Sequence, residues 1–285
     1  MTGDYMPLRA VRGLLLDMDG VIYRGSQALP GVPGFFDFLR AQAIPFILVT
    51  NNSSRTGRQI QNHLARLGLT VTATEILTSA QATALYLQQR APAGARVLVV
   101  GHEGLRAAIY EAGFTLVDTS PADYVVVGVD WHLRYETIKR AGQAIRAGAV
   151  FIGTNPDRTF PAADEIRPGA GVVLAALTAY TGVEPLIIGK PERPLIELAV
   201  QRLGLAMPGQ GNSSPVLALV GDRLETDILA GQRVGLLTIL VLTGVTRRED
   251  LATSNIVPDL VVENLAELQR VWEEVLRAST HSSKV

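Results

Sequence analysis

Apolar residues in this chain gather into short unbroken runs separated by amphipathic stretches. Runs of that kind suit strands buried on both faces of a sheet. Strands are predicted over Val11–Leu16, Ile44–Val49, Val97–Val100, Tyr124–Val127, Val150–Ile152, Leu186–Gly189, Val216–Val220, Leu236–Leu242 and Leu260–Val262. Between them, helices are predicted over Pro33–Gln42, Thr56–Leu67, Glu103–Ala112, Tyr135–Ala147, Gly169–Tyr180, Pro194–Leu203, Thr226–Val234 and Leu265–Arg277. Pro33 suits a first helical turn, and Gly68 suits the end of the second helix. Phe35, Phe36, Phe38 and Leu39 form the buried stripe of the first helix. Pro208–Pro215 reads as a loop and Ser279–Lys284 as a frayed tail. Alternating strands and helices predict an α/β fold, a doubly wound parallel sheet of Rossmann-like type.

The stretch from about Ala82 to Val183 keeps the same alternation and holds enough strands to bury a sheet of its own. It is read as a second α/β domain inserted into the first. Residues 1–82 and 184–285 then form the core and 83–183 the insert. Ala91-Pro92-Ala93-Gly94 and Thr181-Gly182-Val183 are turn-rich stretches near its ends.

Composition narrows the classes. The chain has 285 residues, 47% of them apolar, which is ample for a core and too many for a disordered chain. A formal net charge of −1 argues against a nucleic-acid binder. No cysteine is present, so disulfides, thiolate chemistry and Cys-ligated metals are excluded. The N-terminal residues have no basic, apolar leader pattern, and no apolar stretch reaches spanning length uninterrupted. The expectation is a soluble cytoplasmic protein without a membrane partner.

The chemistry sits at strand ends. Leu14-Leu15-Leu16 runs straight into Asp17-Met18-Asp19-Gly20. A buried strand cannot keep two unpaired carboxylates, so the acids belong where the chain leaves the sheet. Residues i and i+2 of an extended backbone face one side, and Gly20 permits a sharp turn away. Three more apolar runs end in Thr50-Asn51, in Lys190-Pro191 and in Gly221-Asp222, with Asp227 soon after. Sites of open parallel sheets lie beyond strand C-termini. Carboxylates after the first strand, with no Gly-x-Gly-x-x-Gly, exclude a dinucleotide-binding dehydrogenase. His63, His102, His132 and His281 show no metal-ligand spacing.

Asp17-Met18-Asp19-Gly20-Val21, Thr50-Asn51, Lys190-Pro191 and Gly221-Asp222 with Asp227 resemble, in order, the four motifs of the haloacid dehalogenase superfamily. The insert between the second and third motifs resembles that superfamily's second cap class. Gly153-Thr154-Asn155-Pro156-Asp157 and Gly189-Lys190-Pro191-Glu192 resemble its para-nitrophenylphosphatase branch, which includes phosphoglycolate and pyridoxal phosphate phosphatases. The resemblance spans about Gly13 to about Leu268. It implies a catalytic core with an inserted cap, and a phosphatase acting on a small organic phosphomonoester.

Such a reaction needs a nucleophile, an acid for the leaving oxygen and positive charge for the phosphoryl oxygens. Asp17 is the expected nucleophile, forming an aspartyl phosphate, and Asp19 the acid and later the base. The Thr50 hydroxyl, the Asn51 backbone N–H and Lys190 are expected to bind phosphate. Four acids against Lys190 call for a cation, and oxygen ligands favour Mg²⁺. The resemblance implies Asp17 and Asp222 as carboxylate ligands, with the Asp19 backbone carbonyl as a third. Asp227 is expected in support, orienting Lys190 or a water. The insert's Trp131, His132, Arg134, Asn155, Asp157 and Arg158 are candidates for selecting the leaving group. A homodimer through the cap is a further expectation from the resemblance. The alternatives are a phosphomutase on the same core and a phospho-aspartate signalling receiver without turnover.

Overall fold

The computed structural model describes residues 5–161, 165–209 and 216–282. The chain begins with β1 (Val11–Leu16), β2 (Tyr23–Arg24), β3 (Gln27–Ala28), α1 (Val32–Ala41), β4 (Phe46–Thr50), α2 (Gly57–Arg66), β5 (Ile76–Thr78) and α3 (Ser79–Gln88). It continues with β6 (Arg96–Val100), α4 (Glu103–Glu111), β7 (Thr115–Val117), β8 (Tyr124–Val127), α5 (Tyr135–Arg146) and β9 (Val150–Gly153). Then come β10 (Thr159–Pro161), β11 (Ile166–Pro168), α6 (Ala170–Thr181), β12 (Leu186–Ile187) and α7 (Arg193–Arg202). The last elements are β13 (Val216–Gly221), α8 (Leu229–Val234), β14 (Leu237–Val241), β15 (Leu260–Val262) and α9 (Leu265–Ser282). Two compact units result, one of Met1–Val49, Leu64–Glu75 and Ala199–Val285, the other of Thr50–His63 and Ile76–Leu198.

The first unit is built on the strands β15-β14-β13-β1-β4, neighbours in that order. β1 is central because it is apolar throughout its second half: Leu14, Leu15 and Leu16 are fully buried. It runs parallel to β13 on one side, with Leu15 opposite Leu219, and to β4 on the other, with Leu15 opposite Ile47. The chain leaves β1 toward β4 and later leaves β13 toward β14, so the winding reverses between β1 and β13. That reversal opens a crevice at the carboxyl ends of these two strands. On the flank, Phe35, Phe36, Phe38 and Leu39 of α1 are all buried, as their spacing predicts. Phe38 meets Trp272 of α9 edge-on at 5.6 Å between ring centroids.

The second unit has its own parallel sheet, ordered β12-β9-β8-β6-β7. Val125, Val127, Phe151, Leu174 and Leu177 are among the side chains of its core. The same unit holds an antiparallel pair, β10 and β11.

Several expectations need correction. Leu186–Gly189 is strand only at Leu186–Ile187, and it pairs with Ile152 and Gly153 of the inserted sheet. Lys190 therefore does not follow a strand of the first unit's sheet: an apolar run signals burial, and says nothing about which sheet buries it. The segment predicted as one helix over Thr226–Val234 opens with a π-helical turn, Leu224–Ile228, before α8. α9 runs on to Ser282, into the segment expected to fray. Gln210–Pro215 of the expected loop lie outside the described residues. α3 was not predicted, because Ser-Ala-Gln-Ala-Thr-Ala has little amphipathic contrast. Its start is nonetheless marked by a capping box between Thr78 and Gln81. Among the described residues, no helix is long and apolar enough to cross a membrane.

Leu15 is fully buried and has a partner on each flanking strand. Leu15→Ala is expected to lower the unfolding free energy by about 2–5 kcal/mol. Denaturant titration checks this, and a loss well under that range would contradict β1's place at the centre of the core.

Candidate active site

Asp17 is the first residue beyond β1, and its backbone N–H still donates to Val220 O of β13 at 2.9 Å. That bond carries the ladder one residue past the strand and fixes Asp17 at the edge of the crevice. Asp222 is the first residue beyond β13. Asp227 lies in the π-helical turn that follows, where the N–H groups of Asp227 and Ile228 both donate to Arg223 O. Oxygens of Asp17, Asp222 and Asp227 all lie within 4.8 Å of one another. All three residues are buried, at 8%, 2% and 1% exposure.

Glycines shape this pocket. A Cβ on Gly244 would sit 1.8 Å from Asp222 Oδ2, and one on Gly20 would sit 2.6 Å from the same atom. Gly20 also has φ of +85°, which glycine adopts at little cost. A Cβ on Gly221 would lie 2.1 Å from Asp227 Cβ, so glycine there lets the π turn fold back onto the strand end. Polar bonds complete the support. Asp222 Oδ2 accepts from Val245 N at 2.7 Å, and Asp222 O accepts from Thr246 N at 3.1 Å. Asp227 Oδ2 accepts from Arg223 N at 3.1 Å. Thr243 Oγ1 donates to Gly20 O at 2.6 Å, tying the loop after β14 to the turn after β1.

Three carboxylates in one buried cluster repel strongly: two unit charges about 4 Å apart cost roughly 4 kcal/mol at an effective dielectric constant of about 20. The donor set is all oxygen and suits a hard cation. Asp19 is not part of it. Its side chain is exposed, and its Oδ2 accepts from Tyr23 Oη at 3.3 Å.

The remaining expected residues lie in the second unit. Thr50 is the last residue of β4, and its Oγ1 accepts from Asn52 N at 3.1 Å. The Asn51 amide pairs with the backbone of Lys190, accepting from its N–H at 2.9 Å and donating to its carbonyl at 2.8 Å. Asn51 Nδ2 also donates to Asp157 Oδ2 at 3.0 Å, and Asn155 Nδ2 donates to the same oxygen at 2.8 Å. A Cβ on Gly189 would meet Asn51 Oδ1 at 2.6 Å and Thr154 O at 2.4 Å, so this close approach requires glycine. Lys190 is 2% exposed. Asn155 and Asp157 thus join Asn51 in a polar cluster around the lysine backbone. Trp131 is half exposed and lies 4.4 Å from the His102 ring, while His132, Arg134 and Arg158 are exposed.

Three contributors escaped sequence reasoning. The Gly244-Val245 loop follows a buried strand like the other site segments, and that position was the available signal. Tyr23 lies four residues beyond Asp19, but nothing in an isolated tyrosine marks it. Asn51's side chain looks like a helix-capping group, and its pairing with Lys190 needs the fold to appear. Asn51→Ala would remove both of these bonds to the Lys190 backbone, and is expected to lower stability by about 1–3 kcal/mol. Thermal and denaturant unfolding measure the loss, and unchanged stability would contradict this bracing role.

Comparison with known proteins places this geometry. Residues 14–115 match the family model for haloacid dehalogenase-like hydrolases, and residues 187–268 match a second model described as HAD-hydrolase-like. An acid sugar phosphatase of Staphylococcus aureus is 37% identical over 260 residues, covering 91% of this chain and 97% of the relative. A p-nitrophenyl phosphatase of Archaeoglobus fulgidus superposes with a TM-score of 0.85 at 35% identity, over 92% of this chain and 99% of that one. A glycerol phosphate phosphatase of Mycobacterium tuberculosis, solved in complex with magnesium, gives 0.82 at 33% identity, over 91% and 76%. The chain belongs to the haloacid dehalogenase-like hydrolase family, on its para-nitrophenylphosphatase side, and is one of that family's phosphatases.

Proposed function

We propose that the protein is a Mg²⁺-dependent phosphatase that hydrolyses a small organic phosphomonoester through an aspartyl phosphate on Asp17. The observation that carries this reading is the buried cluster of Asp17, Asp222 and Asp227 at the reversal point of the sheet. Relatives that act on sugar phosphate, p-nitrophenyl phosphate and glycerol phosphate support a small substrate.

In this reading Asp17 and Asp222 would hold the dication through their carboxylates, helped by the Asp19 backbone carbonyl, with Asp227 in support. Bound there, Mg²⁺ offsets the charge of the acids and of the incoming phosphate. A carboxylate oxygen of Asp17 attacks phosphorus as the bond to the leaving oxygen breaks. The Asp19 carboxyl gives its proton to that oxygen, releasing an alcohol. The Asp19 carboxylate then takes a proton from water, and the resulting hydroxide oxygen attacks the phosphorus of the aspartyl phosphate. Inorganic phosphate leaves and Asp17 is regenerated. Acid–base help of this kind is typically worth ~10²–10⁴-fold. The Thr50 hydroxyl, the Asn51 N–H and the Lys190 ammonium bind the phosphoryl oxygens. Gly20 provides the turn that aims both aspartates. Residues 83–183 act as the cap that chooses the substrate.

Asp17→Asn keeps the shape of the side chain and removes its nucleophilic charge. It is expected to lower Mg²⁺-dependent phosphate release from para-nitrophenyl phosphate at least about a thousandfold. Retained turnover would remove the nucleophile assignment.

A further inference from the structure

Tyr23 is 5% exposed, with its ring in the core and its hydroxyl at the Asp19 carboxylate. The approach is built rather than incidental. Ile22 N donates to Met18 O at 2.8 Å and Gly20 N donates to Tyr23 O at 2.9 Å, closing the turn that carries both residues. Asp19 and Tyr23 form an isolated backbone bridge, and Tyr23 then pairs with Ala28 in the β2–β3 hairpin. Arg24 donates to Thr243 O, and Thr243 Oγ1 donates to Gly20 O, so the loop after β14 pins the same turn. The Asp19 side chain, by contrast, is exposed.

We infer that Tyr23 is a positioning residue for the general acid: its hydroxyl holds Asp19 Oδ2, so that Oδ1 exchanges the proton with the leaving oxygen. The inference rests on the reading of Asp19 given above. It requires no movement of charge on Tyr23. Correct placement of a catalytic group within a few tenths of an ångström is itself a large part of its effect.

Leaving groups separate this role from a structural one. Nitrophenolate departs without a proton, whereas an alkoxide needs the acid. kcat/KM covers the steps up to alcohol release, so it isolates the first half of the reaction. The test compares para-nitrophenyl phosphate with glycerol 3-phosphate in the wild type, Tyr23→Phe and Asp19→Asn. Tyr23→Phe is expected to lower kcat/KM for glycerol 3-phosphate at least about tenfold, and that for the aryl ester less than about threefold, with an unchanged melting temperature. Asp19→Asn should show the same split, larger. An equal loss on both esters in Tyr23→Phe, or no loss on either, would overturn the positioning role alone if Asp19→Asn still splits them. If Asp19→Asn shows no split, the acid assignment fails and the role of Tyr23 fails with it.

Discussion

Like charges crowded into a buried place set the terms for the first unit. Asp17, Asp222 and Asp227 bring their oxygens within 4.8 Å of one another while almost wholly removed from solvent. Carboxylates gathered this way are costly unless opposite charge accompanies them, and the cost rises as water is excluded. A protein that needed only stability would place apolar residues at these positions. Here the sheet concentrates acids at the reversal point between β1 and β13, where doubly wound folds hold their ligands.

Backbone geometry, more than side-chain packing, keeps the arrangement. Gly20 and Gly244 let two loops close on Asp222, and Gly221 lets the π turn bring Asp227 back over the strand end. Val245 N and Arg223 N then bind one oxygen each of Asp222 and Asp227. Donors fixed by the backbone cost little to orient at the moment of reaction, which is what an electrostatic site requires. The second unit uses a different device. There an asparagine amide pairs with both backbone groups of Lys190 and is itself held by Asp157. Charge is placed in one unit by glycine-permitted loops and in the other by an amide that imitates a strand.

Much of this was legible in the sequence. An apolar strand that runs into acids is a conflict between burial and charge, and Asp17 and Asp222 were found because they pose it. The strand Val11–Leu16 and the strand Tyr124–Val127 have the predicted limits. What sequence reasoning missed depends on distant partners. Leu186-Ile187 reads the same whether β9 or a strand of the other sheet receives it. Asp227 is legible as a site residue, but the π-helical turn that carries it into the acid cluster is not. Gly244 matters for what lies 1.8 Å from its missing Cβ, which no local pattern encodes. Tyr23 reaches Asp19 through a turn closed by Met18 and Tyr23 carbonyls, and its spacing alone resembles any buried aromatic.

In the account proposed, the acid cluster exists to hold a dication beside a nucleophilic aspartate. Calorimetric titration of Mg²⁺ into the wild type and into Asp222→Asn tests that claim most directly. Asp222→Asn keeps the side chain's size and removes one charge. The account predicts one Mg²⁺ site per chain in the wild type, weakened at least about tenfold in the variant. Equal Mg²⁺ affinity in the two proteins, or no Mg²⁺ binding to the wild type, would contradict it.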